Sequence, residues 1–205
     1  YDTPKLDAAG QPVKDAQGNA VTEKATQKKQ VIALGPAASQ IAIKQLGSNG
    51  GGFFNANSAH PFENPTRLSN FLETLAILLL PVALVFTFGY MLKQAKQGWA
   101  IFWVMLILFL MGTAVVFWAE TRGNPLLAKL GVAHGVNLEG KEVRFGVVPS
   151  ILWGSTTTVV SNGSVNSMHD SQLPLAGMIY MFNMGIGEVI FGGVGVGLTG
   201  MLFYI

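Results

Sequence analysis

Two short polar stretches, Ser48-Asn49-Gly50 and Ser161-Asn162-Gly163, sit between long apolar runs. Each is followed by an Asn-Ser-x-His tetrapeptide, Asn57-Ser58-Ala59-His60 and Asn166-Ser167-Met168-His169. The tripeptides are 113 positions apart and the tetrapeptides 109. Two ordered matches in the same setting mark a tandem repeat whose loops differ by four residues. Glycine tolerates positive φ, so successive carbonyls of such a loop can be turned toward one axis. Serine and asparagine add hydroxyl and amide oxygens. Neutral oxygens of this kind suit a dehydrated monovalent cation, because they replace its hydration shell and still release it. Neither tripeptide contains a carboxylate, which argues against calcium or magnesium.

A second candidate is Glu188, flanked by uncharged runs of 17 residues on either side, 171–187 and 189–205. An ionisable group inside an apolar segment is a functional hypothesis by default. Beside it Gly192, Gly193 and Gly195 crowd a stretch that holds a helix poorly, each glycine costing about 1 kcal/mol relative to alanine. A break there lets backbone and carboxylate face a watery path. His60, His169 and Asp170 invite a metal or catalytic-dyad reading, but their spacing fits no zinc pattern and no nucleophile elbow surrounds them. With Asn55, Asn57, Asn166 and Ser167 they are expected to anchor the loop behind the tripeptides. Neither a GxxxxGK[ST] loop nor an Asp-Lys-Thr-Gly sequence is present, so nothing here is expected to hydrolyse ATP.

The elements that must position these groups can be read from composition. Half of the 205 residues are hydrophobic and only 12% are charged, against about 25% in soluble domains. Residues 74–92 and 98–119 carry no charge at all, and about 20 apolar residues cross a bilayer as a helix. The expected spans run over 69–92, with Pro81 as a kink, and 98–119, with Trp99, Trp103 and Trp118 as interfacial anchors. A tight turn at 93–97 joins them. Residues 36–46 and 145–160 read as helices too short to span. From Pro149 to Val160 a helix covers about 18 Å. Both end at a Ser-Asn-Gly, where orphan carbonyls and the helix dipole would direct partial negative charge at an ion. Residues 1–30 read as a solvated loop with a hairpin around Gln17-Gly18-Asn19, without the apolar core of a signal peptide. Residues 120–144 form a polar loop, and 174–187 resume the apolar pattern. Cysteine is absent, which excludes disulfides and thiolate metal sites. The net charge of +2 with no basic stretch gives no reason to expect nucleic acid. An apolar run at 201–205 leads us to expect a piece of something longer at both ends. The expected fold class is an all-α membrane protein in a lipid bilayer.

The block GSNGGGFFNANSAHPFENPT (47–66) resembles the second filter segment of the potassium-binding, channel-like A subunit of Kdp-type potassium-transporting ATPases. SVNSMHDS (164–171) is similar to the stretch just after the third filter of that family, and GEVIFGGVGVGLTGM (187–201) to its discontinuous gating region. The resemblance covers residues 32–201 in register. It implies tandem membrane helix–pore loop–membrane helix repeats, of which this chain would hold parts of two. Residues 1–35 would be an extracytoplasmic loop. Residues 36–97 would hold a pore helix, filter and second span, and 98–205 the next repeat as far as its broken second span. It further implies a potassium filter at Ser48, Asn49, Gly50, Ser161, Asn162 and Gly163, and a gating or exit region at Glu188, Gly192, Gly193 and Gly195. The potassium ion is the implied bound species. The implied partners are an ATP-hydrolysing P-type pump subunit and small accessory subunits, in a bacterial inner membrane. Charge alone does not orient the spans; the resemblance places Lys93 and Lys96 inside and the filters open outward. The family commonly has Thr where Ser48 stands, Cys where Asn162 stands, Ser or Ala at Val196 and Tyr at Thr199. Two alternatives stand beside this reading: an ATP-independent potassium channel or symporter with the same repeat, and an intramembrane hydrolase using His169 and Asp170.

Overall fold

The computed structural model describes residues 2–5, 7, 11–24, 34–54, 57–132, 135–193 and 197–204. They form two compact units, Tyr1–Ala33 and Leu34–Ile205. In the first, β1 (Asp2–Pro4) pairs antiparallel with β2 (Thr22–Lys24). Between them the chain reverses at Asp15–Asn19, with Gly18 at φ 87° and the Asp15 carboxylate accepting from the N–H groups of Gln17 and Asn19. The hairpin expected around Gln17-Gly18-Asn19 therefore forms, as an Asx-type turn.

The second unit is helical. Its order is α1 (Leu34–Leu46), α2 (Arg67–Met91), α3 (Ala95–Arg122), α4 (Pro125–Lys129), α5 (Val147–Val160), α6 (Pro174–Gly185) and α7 (Leu198–Tyr204). The helix α2 starts at a reciprocal cap: Thr66 Oγ1 accepts from Ser69 N–H and Ser69 Oγ from Thr66 N–H, both at 3.0 Å. It runs on through Pro81, and at 25 residues is about 38 Å long. A short turn with Lys93 at φ 54° folds α3 back beside it. The two helices touch where Gly89 faces Gly98; a Cβ at Gly89 would lie 2.9 Å from Gly98 Cα, so glycine sets this spacing. Both exceed the roughly 30 Å hydrocarbon core of a bilayer. Their outward faces carry Leu79, Leu80, Trp99, Trp103, Ile107, Leu110 and Trp118, all exposed. Apolar surface that extensive has lipid as its natural solvent. The fold is that of an all-α membrane protein.

Inside the α2–α3 pair lies α5, buried from Ser150 to Val160 except for Leu152. At 14 residues it reaches about 21 Å. Its Thr156-Thr157-Thr158-Val159-Val160 run has poor intrinsic helix propensity, and packing on every side overrides that preference. Gly154 admits the Tyr180 ring of α6, whose hydroxyl would lie 2.5 Å from a Cβ there. One cluster joins Ile77, Val85, Met105, Phe109, Trp153 and Val160 to Val189, Ile190 and Phe191. Residues 189–191, after α6, are thus part of the core.

One boundary differs from expectation in a way that matters. Glu120 was expected to open the polar loop, yet α3 continues through it and the side chain is fully buried. Its carboxylate accepts from Asn137 Nδ2 and Lys141 Nζ at 2.8 Å and from Leu173 N–H at 2.6 Å. These donors offset its desolvation, so the helix need not end where charge begins.

Candidate functional site

The short helices α1 and α5 stop in the same way. Asn49 N–H reaches back to Lys44 O at 3.3 Å, and Asn162 N–H to Thr157 O at 3.1 Å. Lys44 and Thr157 are equivalent in the 113-residue repeat. Ser48 and Ser161 both lie in the left-handed region, at φ 52° and 69°, and Gly50 and Gly163 come next at 68° and 78°. A non-glycine residue there costs about 1–2 kcal/mol, so the shared conformation has to be held by its surroundings. One expectation changes. The terminal carbonyls of α1 were expected to face an ion, but Ile43, Lys44 and Gln45 O are capped by amides of 47–50. Buried carbonyls take the nearest available donors, and the turning loop supplies them.

The two Ser-Asn-Gly segments meet backbone to backbone. A Cβ on Gly50 would collide with Asn162 O and Ser164 N, whereas one on Gly163 would sit 3.6 Å from Asn49 O, an ordinary contact. The side chain of Asn162, fully buried, donates to Lys44 O and Gln45 O at 3.4 Å and accepts from Ser164 N–H at 3.0 Å. It ties the second segment to the end of the first short helix. Asn49 is exposed. Asn57 Oδ1 accepts from Val165 N–H at 3.0 Å, and Asn166 Nδ2 donates to Asn70 Oδ1 at 2.7 Å, so the tetrapeptides also cross between repeats. Asn55 lies outside the described residues.

Behind the first segment is a buried charged network that sequence reading did not single out. Lys44, on the last turn of α1, donates to Gly51 O at 2.7 Å and Ser58 Oγ at 3.1 Å and pairs with Glu63. Glu63 Oε2 accepts from the N–H groups of Phe53 at 2.8 Å and Phe54 at 3.3 Å. Gln45 Nε2 donates to Glu73 at 2.9 Å and to Ser58 Oγ at 3.1 Å, and Gln45 Oε1 accepts from Ser164 Oγ at 3.0 Å. Burial draws the Lys44 ammonium down to about 8, against the opposing pull of the Glu73 carboxylate. A signal was available: between Lys29 and Glu63 in the sequence, Lys44 is the one Lys, Arg, Asp or Glu. It is as isolated as Glu188.

Below both helix ends is a cavity of about 310 Å³. Gly47, Ser48 and Ser161 line one side, Pro81 of α2 another, and Gly192 and Gly193 a third. The helical path breaks after Gly185, with positive φ at Gly187, Glu188, Phe191 and Gly193. Gly192 and Gly197 pass so closely that a Cβ on either would strike the other's backbone. Glu188 opens this break at φ 55°, partly buried, and is not among the cavity-lining residues. Gly195 and Val196 lie outside the described residues. Thr199 is exposed on α7.

The profile of the family described as potassium-transporting ATPase A subunit matches residues 6–205. The chain belongs to this family. Similar proteins are each described as a potassium-transporting ATPase potassium-binding subunit. That of Ralstonia pickettii is 57% identical over 205 residues, all of this chain and 35% of the relative. Those of Methylococcus capsulatus and Herpetosiphon aurantiacus are 58% and 59% identical, over 100% and 95% of this chain and 34% of each relative. The chain therefore spans about a third of the length of the curated relatives it matches. In this A-subunit family member His60 and His169, the two histidines among the described residues, make packing contacts with aromatic rings. His60 accepts from Phe62 N–H at 3.1 Å and stacks on Phe54 at 4.9 Å between ring centroids. His169 lies against Tyr180 at 5.0 Å, and burial keeps its imidazole below the ordinary value. Among the described residues no group of three or more His, Cys, Asp or Glu could hold a metal ion.

Proposed function

We propose that this chain is the ion-selecting part of a potassium-transporting ATPase. Dehydrated potassium is coordinated by backbone oxygens around Ser48-Asn49-Gly50 and Ser161-Asn162-Gly163, and leaves through the cavity beneath them. The observation that carries the reading is the meeting of these two segments, each at the end of a short helix, beside a cavity that Gly192 and Gly193 also line. Neutral oxygens with an exit below them are what a monovalent cation in transit requires. The curated relatives, named as potassium-binding subunits, supply the ion. In this reading the chain performs no ATP hydrolysis. A separate P-type pump subunit, with small accessory subunits, supplies the energy in a bacterial inner membrane, and the filters open outward. Glu188, Gly192, Gly193 and Gly195 pass the ion onward.

The test uses the full-length subunit within its complex. Gly50→Asp places a side chain and a charge where only backbone fits, and Gly163→Asp adds a charge at a position whose positive φ favours glycine. Both variants should insert, bind potassium more weakly and discriminate less against rubidium and sodium. Unchanged affinity and preference in both would remove the filter assignment. Glu188→Gln should slow potassium-dependent turnover and leave equilibrium potassium binding nearly intact; a variant that transports normally would take Glu188 off the exit route.

A further inference from the structure

The carbonyl immediately after each tripeptide is treated alike and by different means. Gly51 and Ser164 are equivalent in the 113-residue repeat. Gly51 O accepts from Lys44 Nζ at 2.7 Å, and Ser164 O from Trp153 Nε1 at 2.9 Å. Each donor stands on the short helix of its own repeat, and both side chains are buried. A carbonyl bonded back toward its helix has its C=O dipole held toward that donor and away from an ion on the other side. In both repeats, then, the run of carbonyls free to meet an ion ends at the glycine of Ser-Asn-Gly.

The first repeat adds a feature the second lacks. Lys44 pairs with Glu63, and Glu63 holds the N–H groups of Phe53 and Phe54. The pair grips residues 51–54 by a carbonyl at one end and two amides at the other. The equivalent positions in the second repeat are Thr157 and Gln172, which carry no charge. Charges facing the pair from the neighbouring helix α2 come from Glu73, bridged through Gln45. A fixed ammonium this close to a cation site would repel the ion unless neutralised. Glu63 neutralises it by direct pairing.

We propose that the Lys44–Glu63 pair is a charged clamp that ends the carbonyl array of the first segment at Gly50 and so sets how sharply that segment distinguishes ions by size. The number and freedom of coordinating carbonyls govern such discrimination. Lys44 and Glu63 are positioning residues here, acting through Gly51 and its neighbours. The proposal rests on the filter reading above.

Two single variants separate the parts of the clamp. Lys44→Met frees the Gly51 carbonyl, so the ratio of apparent KM for rubidium to that for potassium should shift by about tenfold. Glu63→Gln keeps the ammonium on Gly51 and removes its counter-charge. It should raise both KM values by about tenfold with their ratio nearly unchanged. Lys44→Arg, retaining charge and donor, should restore most of the ratio. The readout is ATP hydrolysis by the intact complex stimulated by potassium or rubidium, with kcat at saturating ion recorded beside KM. Should Lys44→Met fail to insert, Lys44→Gln/Glu63→Gln takes its place, since it leaves no unpaired charge in that pair. An unchanged ratio in whichever variant inserts overturns the clamp, as does failure of both to insert, which would make the pair a folding element. Gly50→Asp distinguishes the two levels. If it alters selectivity while the Lys44 variants do not, the clamp alone falls; if none alters it, the filter reading falls too.

Discussion

Ser48 and Ser161 close their short helices in the same left-handed conformation, and Gly50 and Gly163 come after them with φ values 10° apart. Around that common backbone the two segments are supported differently. The first is backed by Lys44, Glu63 and Glu73, ionic groups linked by hydrogen bonds through the Gln45 amide and Ser58. The second is backed by Trp153, by Asn162 itself and by Asn183, which donates to Thr158 Oγ1 at 3.1 Å. Neutral groups with fixed directions do there what a salt bridge does in the first. Exposure differs too, since the helix α5 is enclosed while α1 keeps an open face. The comparison teaches that backbone conformation can be conserved between repeats while the means of holding it diverge. The carbonyls and glycines bear the shared geometry, and any donor of suitable reach can secure them.

The sharpest way to break the comparison is to give both glycines a methyl group. Gly50 must accept positive φ and backbone contact with Asn162 and Ser164, whereas Gly163 faces the φ requirement with room to spare. In the full-length complex, Gly50→Ala should raise the apparent KM for potassium by about 100-fold or more, and Gly163→Ala by about tenfold. Equal effects would mean that the close approach at Gly50 is unimportant. A smaller effect is expected from Trp153→Phe, which keeps the ring and removes the N–H. The buried Ser164 carbonyl loses its donor, at a cost of about 1–3 kcal/mol. Thermal unfolding should show the loss, and the rubidium-to-potassium KM ratio should move in the same direction as for Lys44→Met. If that ratio stays put, the two donors are not counterparts. The smallest contrast concerns the asparagines. Asn162→Ala removes four hydrogen bonds from a buried site and should destabilise by about 1–3 kcal/mol. Asn49→Ala, at an exposed position, should stay within about 0.5 kcal/mol. Comparable losses at both would show that Asn162 is not the tie between the repeats.

The two long helices, the two short ones and the break after Gly185 are all legible in the sequence, because each depends on local composition. Uncharged stretches of about 20 residues predict α2 and α3, and glycine density predicts the break. The repeat is legible as well, since its tripeptides are identical. Less of the site could be read that way. Lys44, Glu63 and Glu73 are separated by 19 and 10 positions, a spacing no motif describes. Glu120 looks like the first residue of a loop until Asn137, Lys141 and Leu173 are found around it. The capping of α1 by its own loop amides likewise reversed a plausible expectation about where its carbonyls point.

By itself the sequence determined the class of fold, which helices are long and which are short, the repeat and the neutral oxygens available to an ion. Those come from transfer free energy and backbone freedom, which each residue carries with it wherever it stands. Only the tertiary structure decided that Gly50 passes against Asn162, that Asn162 serves α1, and that an ammonium and an indole hold equivalent carbonyls. Such choices depend on which donor reaches which buried acceptor first. That is a matter of distance in three dimensions, and spacing along the chain does not encode it.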